Sequence, residues 1–256
     1  MTRILGLDVG SRTVDAVWWE DGAIADSAVL DSGFDPQEVG ARLLARGDHD
    51  LVVATGYGRH AVRERFGAEI ITEIKAYGTG ASRLYPQARS VLDIGGQDTK
   101  VISLDGGGRV MDFEMNDKCA AGTGRFLEVM ARALGFELSE LGPGALTAPE
   151  GVKISSMCTV FAESEVIGLV HKGVDRNRIA LGLHESIATR TLSMLKRVNA
   201  QPPLVFAGGV AKNPAMARLI TWGFAGEVLT PTDSQLVGAL GAALHGQSLL
   251  SGAGSG

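Results

Sequence analysis

Two cysteines, Cys119 and Cys158, are the only thiols in this chain of 256 residues. Each lies in a stretch of small and polar residues, at 116–128 and 155–165, that leads into a predicted helix. The N-terminus of a helix carries unpaired N–H groups and a partial positive charge, which favour the thiolate over the thiol. The positions of both sulfurs therefore favour a chemical role.

Several roles are open to such a pair. Free cysteine is among the most buried residue types, so two inert core side chains are the simplest alternative. A disulfide is disfavoured, because no signal peptide precedes the first predicted strand and cytosolic proteins rarely keep disulfides. Zinc is disfavoured, because the chain has no CxxC motif and no histidine at ligand spacing from either cysteine. A four-iron, four-sulfur cluster takes four ligands, so it would require a second copy of the chain and a two-fold axis through the metal. Inert cysteines and a shared cluster both remain open.

The composition excludes two classes of partner. The net charge is −5, the sequence pI is about 5.6, and lysines and arginines are scattered along the chain. A nucleic-acid-binding protein would show a basic patch, and a membrane span would need about 18 consecutive apolar residues. We therefore expect a cytoplasmic protein that binds neither nucleic acid nor membrane.

Short β-rich runs alternate with helical periodicity, which predicts an α/β fold. Strands are predicted at residues 4–9, 16–19, 23–29, 51–54, 91–94, 100–104, 110–115 and 204–207. Helices are predicted at residues 36–46, 59–66, 74–84, 124–134, 162–172, 179–198, 213–221 and 234–245. The Gly- and Ser-rich end, residues 251–256, predicts a flexible tail.

One internal repeat aligns residues 7–16 with residues 92–101. In both copies a buried strand ends in aspartate, Asp8 or Asp93, and glycine and a polar turn lead into a second strand. Such a turn lets backbone N–H groups approach an oxyanion, and the aspartate can hold a magnesium ion or its water. Each turn alone could be merely a tight β-hairpin, but the pair favours a phosphate clamp between two similar lobes.

A third glycine turn follows the predicted strand at 204–207. Gly208 and Gly209 would let the backbone lie against a planar base or ribose, and Pro214 is placed to open a helix. Together with the two aspartate turns, it points to ATP.

These three turns resemble the phosphate-1, phosphate-2 and adenosine elements of the actin, hexokinase and heat-shock ATPase superfamily. Residues 54–59, 115–127 and 155–165 resemble one branch of it, the activator (component A) of 2-hydroxyacyl-CoA dehydratases together with the related ATPase subunits of benzoyl-CoA reductase. The similarity extends from about residue 5 to residue 245 and is most specific in the cysteine segments. It implies a two-lobed actin-like (ribonuclease H-like) ATPase fold with duplicated mixed-sheet lobes. Lobe I would span residues 1–86, with a C-terminal helix at 234–247 returning to it, and lobe II would span residues 87–233 and carry both cysteines.

The resemblance also implies roles for individual residues. Cys119 and Cys158 would ligate one 4Fe-4S cluster shared by a homodimer, with the helices after Cys119 directed at it. Asp8, Asp93 and Gln97 would be catalytic, with Asp8 and Asp93 near Mg²⁺. The residues implied to hold ATP are Gly10, Ser11, Thr13, Gly95, Gly96, Gln97, Gly208, Gly209 and Asn213.

The function that the resemblance implies is ATP-driven electron transfer. Reduced ferredoxin or flavodoxin would charge the cluster, ATP hydrolysis would close the lobes, and one electron would pass to an acyl-CoA dehydratase or a related reductase. An alternative on the same fold is a sugar or acyl kinase with incidental buried cysteines, but a kinase needs a carboxylate base beside a hydroxyl-binding pocket, and the sequence identifies none. The bulky Trp18 and Trp19 after the first turn depart from the branch, which leaves the subgroup of partner open. The base for the attacking water is not identified by the sequence either.

Overall fold

Two five-stranded sheets form the framework of the protein. The computed structural model describes residues 2–155 and 158–253. The strands in these ranges are β1 (Arg3–Val9), β2 (Thr13–Glu20), β3 (Ala23–Asp31), β4 (Leu51–Thr55), β5 (Glu69–Ile70), β6 (Ser90–Ile94), β7 (Thr99–Leu104), β8 (Val110–Asn116), β9 (Leu204–Ala207) and β10 (Val228–Leu229). The α-helices there are α1 (Pro36–Leu44), α2 (Arg59–Phe66), α3 (Glu73–Leu84), α4 (Gly124–Leu134), α5 (Leu138–Thr147), α6 (Thr159–His171), α7 (Arg176–Arg197), α8 (Pro214–Gly223) and α9 (Val237–Ala253).

The two sheets share one topology. The strand order is β3-β2-β1-β4-β5 in the first sheet and β10-β9-β6-β7-β8 in the second. In each sheet three consecutive strands pair antiparallel, and two later strands add in parallel beside the first of them. The predicted α/β class with duplicated mixed sheets is therefore confirmed, and the repeat in the sequence is a repeat of β1–β2 by β6–β7.

The adjacent tryptophans of β2 point to opposite faces of the first sheet, as successive residues of a strand must. Trp18 packs with Leu43 of α1. Trp19 packs with Leu240 of α9, and its Nε1 donates a hydrogen bond to Gln247 Oε1 at 3.0 Å. The bulky pair is thus core material of the first sheet.

Helices α3 and α9 connect the two sheets. The two helices cross at very short distance, which glycine at the crossing permits. A Cβ on Gly80 would collide with the carbonyl of Val237, and a Cβ on Gly241 would collide with the carbonyl of Ala76. Helix α9 packs against β1 and β4 of the first sheet, whereas Tyr77 of α3 packs in a cluster with β6, β7 and β9 of the second. The predicted lobe boundary at 86/87 falls between α3 and β6 and stays a prediction.

Helix α5 is absent from the sequence-based prediction. Pro143 lies inside it between Gly142 and Gly144, and all three residues disfavour a helix interior. The helix nevertheless packs against α7 and α8 and buries Leu141 and Ala145. Tertiary packing therefore outweighs local propensity in this segment.

Several predicted boundaries were wrong by a few residues. Helix α6 begins at Thr159 instead of residue 162, and a 3-10 turn at Ser234–Leu236 precedes α9 where the prediction placed α-helix. Helix α9 continues to Ala253, and the Ser251 hydroxyl donates to the Gln247 carbonyl one turn earlier. The predicted tail is therefore helical at 251–253, and residues 254–256 lie outside the described residues.

No helix in the described ranges combines the length and the hydrophobicity needed to cross a membrane.

Candidate functional site

A cleft of about 1020 Å³ is lined by loops from both sheets and collects the predicted nucleotide and magnesium residues. Those that line it are Asp8, Gly10, Ser11, Thr13, Asp93, Gly95, Gly96, Gln97, Gly208, Gly209 and Asn213. Cys119 and Cys158 do not line the cleft. The structure therefore separates the predicted residues into one cleft and a cysteine region outside it.

The two aspartate turns have the same local geometry. The Gly10 N–H donates to the Thr13 carbonyl at 3.0 Å, and the Gly95 N–H donates to the Asp98 carbonyl at 3.0 Å. Both turns are thus tight β-hairpins, which was one of the two interpretations of the sequence. Both also line the cleft, as the other interpretation, a phosphate clamp, requires. Gln97 lies exposed in the second of them.

Two equivalent glycines pack against the aspartates. Gly208 follows β9 with φ +84°, and a Cβ there would collide with Asp93 Oδ1. Gly56 follows β4 with φ +86°, and a Cβ there would lie 2.5 Å from Asp8 Oδ1. Each carboxylate therefore needs a glycine beside it, both for the positive φ and for space. The sequence identified Gly208 but not the corresponding role of Gly56, although Gly56 also follows a buried strand.

Lys100 is a buried cation that the sequence analysis missed. Its Nζ lies 2.6 Å from Asp98 Oδ2, 2.8 Å from Glu73 Oε2 and 3.1 Å from Asp93 Oδ2, and the side chain is 3% exposed. Burial lowers the pKa of Lys100, but the three carboxylates together raise it well above its ordinary value. The ammonium is thus permanently charged and fixes Asp93 from one side. The repeat offered a signal, because Lys100 belongs to the aligned segment.

Burial raises the pKa of the cleft carboxyls. The pKa of Asp93 is raised to about 6 by burial, against the opposing effect of Lys100. The pKa of Asp8 is raised well above its ordinary value by burial and by the neighbouring Asp15. Burial also raises the pKa of Asp15 to about 7, although a hydrogen bond from Thr13 lowers it. These carboxyls favour any cation that enters the cleft.

Asn213 has structural bonds as well as a place in the cleft wall. Its Oδ1 caps α8 by accepting from the N–H groups of Ala215 and Met216 at 3.0 and 3.1 Å. Its Nδ2 lies 3.0 Å from Nε2 of the fully buried His184, whose Nδ1 lies 2.7 Å from the Ala180 carbonyl. Because that carbonyl can only accept, His184 carries its proton on Nδ1 and accepts at Nε2. Both ends of the Asn213 side-chain amide are therefore engaged in bonds within the fold, and the residue also lines the cleft.

Both cysteines lie near the starts of helices. Cys158 is exposed and is the N-cap of α6, and Cys119 is half-buried in the segment between β8 and α4. Both are free thiols and neither is buried, so the alternative of inert core cysteines does not describe this structure. Helices α4 and α6 pack against each other. Ser156 and Met157, which belong to the predicted cysteine motif, lie outside the described residues. Among the described residues, no group of three or more metal-ligating side chains occurs.

Helix α4 is attached directly to the second aspartate turn. The Gly124 N–H donates to the Gly95 carbonyl at 2.9 Å, and the Arg125 N–H donates to the Gly96 carbonyl at 2.8 Å. The segment from Cys119 to α4 therefore ends on the turn that lines the cleft.

A second connection to α4 comes from the first sheet. Arg12 Nε lies 2.6 Å from Glu128 Oε1 on α4, and Arg12 Nη1 lies 2.8 Å from Asp31 Oδ2 within the first sheet. Helix α4 thus contacts the turns of both sheets.

Comparison with known proteins shows close relatives along the whole chain. The model of the BadF/BadG/BcrA/BcrD ATPase family matches residues 5–246. The chain is 42% identical over 250 residues to the 2-hydroxyisocaproyl-CoA dehydratase activator of Clostridioides difficile, covering 94% of this chain and 93% of that protein. It is 34% identical over 209 residues to one of the subunits of the benzoyl-CoA reductase of Thauera aromatica, covering 79% of this chain and 73% of that protein.

A solved structure shows the same likeness in three dimensions. The activator of the 2-hydroxyisocaproyl-CoA dehydratase from Clostridium difficile with bound ADPNP superposes with a TM-score of 0.89 at 40% identity, covering 100% of this chain and 98% of that one. This confirms the predicted two-lobed ATPase fold. Because the family model spans nearly the whole sequence, the chain belongs to the BadF/BadG/BcrA/BcrD ATPase family.

Proposed function

We propose that this ATPase transfers single electrons to an acyl-CoA dehydratase and that ATP controls the transfer. The observation that carries the proposal is the pair of backbone hydrogen bonds joining α4 to the carbonyls of Gly95 and Gly96. A nucleotide that displaces this turn also displaces the N-terminus of α4, and with it the segment that holds Cys119. The cleft and the cysteine region are therefore mechanically connected.

The cysteines fit a 4Fe-4S cluster shared between two copies of the chain. Both are free and neither is buried, and each lies near the start of a helix, Cys158 as the N-cap of α6 and Cys119 in the segment before α4. Two thiolates from each copy make the four ligands that such a cluster takes. A bound cluster would supply reversible one-electron storage at a potential set by charge, burial and hydrogen bonds to sulfur. The part of this chain is to hold the thiolates and to connect the Cys119 segment, through α4, to the turn that lines the cleft.

The surface of α6 supports the homodimer. Val160 and Phe161 follow Cys158 directly and are each 67% exposed, and Ile167 and Val170 on the same helix are also exposed. Exposed apolar patches mark contact surfaces. A second copy that contributes its own cysteines would cover the exposed Val160 and Phe161 beside Cys158.

The cleft fits a magnesium nucleotide. The glycine turns can present backbone N–H groups to phosphate oxygens, and Mg²⁺ prefers carboxylate oxygens together with phosphates and water. Asp93 Oδ1 is buried and has no hydrogen-bond partner among the described residues, so it is available to a cation or its water. We assign Asp8 and Asp93 to the vicinity of Mg²⁺ and Gln97 to the attacking water.

The relatives support the choice of partner. Their names indicate activation of a dehydratase in one case and a component of benzoyl-CoA reductase in the other, so an ATPase subunit of a benzoyl-CoA reductase is the second candidate. Ferredoxin or flavodoxin is the proposed electron donor. Two free cysteines suit a reducing compartment, which supports a cytoplasmic location. The ATPase family argues against the kinase alternative.

Iron analysis of anaerobically purified protein tests the shared cluster. We expect about four iron atoms per two chains, a dimer that weakens when the iron is chelated, and loss of iron in Cys119→Ser and in Cys158→Ser. Nucleotide binding should survive in both variants, which separates loss of the cluster from misfolding. Four iron atoms per chain, or an unchanged iron content in both variants, would contradict the proposal.

A further inference from the structure

The repeat places opposite charges at equivalent positions of the two sheets. In the first sheet Asp15 pairs with Asp8 across the antiparallel β1–β2 ladder. In the second sheet Lys100 pairs with Asp93 in the same way across β6–β7. Directly opposed side chains lie on the same face of a sheet, with Cβ atoms about 4.5–5.5 Å apart. Where the second sheet has an ammonium beside its aspartate, the first has another carboxylate.

The surroundings of Asp15 do not replace that missing cation. Asp15 is 6% exposed and lines the cleft; its Oδ2 accepts from the Thr13 hydroxyl at 3.2 Å, but its Oδ1 is buried without a hydrogen-bond partner in the described part of the chain. Lys212, which also lines the cleft, lowers the pKa of Asp15 through its charge. Its Nζ, however, donates a hydrogen bond to Gln235 Oε1 and forms no ion pair with Asp15. A buried carboxylate oxygen without a partner is costly, so a ligand is expected at Oδ1.

The charge of the cleft leads to the same conclusion. Lys100 is one cation among three carboxylates, those of Glu73, Asp93 and Asp98. The first sheet adds Asp8 and Asp15 to the cleft, and among the residues that the structure describes neither has an ion pair with a cation of its own. If the cleft receives the polyphosphate of ATP, as proposed above, further negative charge enters it. A single cation shared among the phosphates, Asp8 and Asp93 would not offset the charge of both opposed carboxylates of the first sheet.

We propose that Asp8 and Asp15 together bind a divalent metal ion, Mg²⁺, at the place in the first sheet that corresponds to the Lys100 ammonium in the second. Two facing carboxyl groups offer hard oxygen donors that a divalent cation would keep ionised, and Mg²⁺ is commonly held by one or two carboxylates with water or phosphate completing its shell. Asp15 is thereby a metal ligand. The metal resides on the protein before nucleotide arrives.

Mn²⁺ alone, titrated into nucleotide-free protein and followed by the electron paramagnetic resonance of the free ion, tests this site. Asp15→Asn should weaken the binding of one Mn²⁺ per chain by about tenfold or more, because even residues behind a metal ligand change affinity by about 10- to 100-fold. The matched control is Asp98→Asn, which removes one negative charge from the same cleft but at the Lys100 cluster. It should leave the Mn²⁺ site in place.

A second variant supplies the cation covalently. Asp15→Lys places an ammonium opposite Asp8, as Lys100 stands opposite Asp93. We expect it to fold, to lose the Mn²⁺ site, and to melt at a temperature that Mg²⁺ no longer raises, whereas Mg²⁺ should raise the melting temperature of the parent through preferential binding to the native state.

The outcomes separate this inference from the proposed function. Equal Mn²⁺ affinity in the parent and in Asp15→Asn, equal loss in Asp98→Asn, or no Mn²⁺ bound without nucleotide would overturn the metal site. Any of these results is compatible with intact ATP hydrolysis and a bound cluster. Conversely, a protein that holds no iron could still show the Asp8–Asp15 site by this titration.

Discussion

Asp93 shares the Lys100 ammonium with two other carboxylates, Asp98 and Glu73. Replacing Asp93 by asparagine therefore leaves Lys100 paired, and the fold should persist. The negative charge proposed to act on magnesium and water is lost. We expect phosphate release to slow by about 100-fold or more, while the iron content stays that of the parent. Steady-state ATP hydrolysis measures the effect.

Asp48→Asn provides the control, because Asp48 is exposed in a surface loop. Its hydrolysis rate should equal that of the parent. Equal rates in Asp93→Asn and the parent would remove Asp93 from the mechanism.

His184 predicts a pH dependence of stability. Burial lowers the pKa of His184, while its bonds to Ala180 and Asn213 act in the opposite direction. Below the unfolded value of about 6.5, the unfolded chain therefore binds a proton that the native protein does not. Since the stability then falls as the pH falls, His184 should destabilise the protein progressively from about pH 6.5 downwards.

Urea denaturation between pH 5 and pH 8 would measure this contribution as the difference between the parent and His184→Gln. In His184→Gln, the free energy of unfolding should fall less steeply as the pH falls below about 6.5. His60→Gln, at an exposed position, should show the same pH dependence as the parent. An identical pH profile in the parent and His184→Gln would show that His184 titrates normally in the native protein.

At the level of secondary structure, helix α4 receives contacts from both aspartate turns. One contact is the Arg12–Glu128 pair, in which the Arg12 side chain is 53% exposed and the Glu128 side chain is 11% exposed. A half-exposed ion pair contributes about 0.2–1 kcal/mol. We expect nucleotide to strengthen the pair by drawing the two sheets together, so Arg12→Ala should weaken ATP binding by up to about fivefold.

A double-mutant cycle with Glu128→Gln measures the coupling of the two side chains. Asp31→Asn is the matched control, because Asp31 binds the same guanidinium within the first sheet. It should leave ATP affinity nearly unchanged. Additive effects of Arg12→Ala and Glu128→Gln would show that the pair does not couple the sheets.

At the scale of the whole molecule, the proposed function requires that nucleotide and cluster influence each other. Binding linkage is reciprocal, and coupling between sites is typically about 1–3 kcal/mol, which corresponds to about 40–130 mV for one electron. We therefore expect the midpoint potential of the cluster to differ by tens of millivolts between nucleotide-free protein and protein with a non-hydrolysable ATP analogue.

Potentiometric titration with no nucleotide, with ADP and with the analogue tests this expectation. Reduction of the cluster should change nucleotide affinity by the same free energy, which gives an independent measurement. The same potential in all three states would refute gating at the cluster and leave nucleotide-controlled docking to the partner as the means of coupling.

The sequence by itself predicted the local parts of the cleft. Asp8, Asp93 and their glycine turns were identifiable because a strand, a tight turn and a second strand are consecutive in the chain. The two short strands β5 and β10 carry too few residues for a periodic signal. Helix α5 was missed because its proline and glycines contradict a conformation that only packing against α7 and α8 stabilises.

The tertiary structure decided which side chains became partners across the chain. Glu73 reaches Lys100 from α3, Asn213 meets His184, and Arg12 meets Glu128. These pairs are remote in sequence, so no local pattern of charge or hydrophobicity reports them.

Asp15 shows the same limit most clearly. The sequence showed an aspartate where the repeat has Lys100, but only the folded protein showed that its Oδ1 is buried without a partner in the described residues. The physical reason is that the electrostatic state of a carboxylate depends on every charge and dipole that the fold brings within a few ångströms, and a linear sequence does not specify those distances.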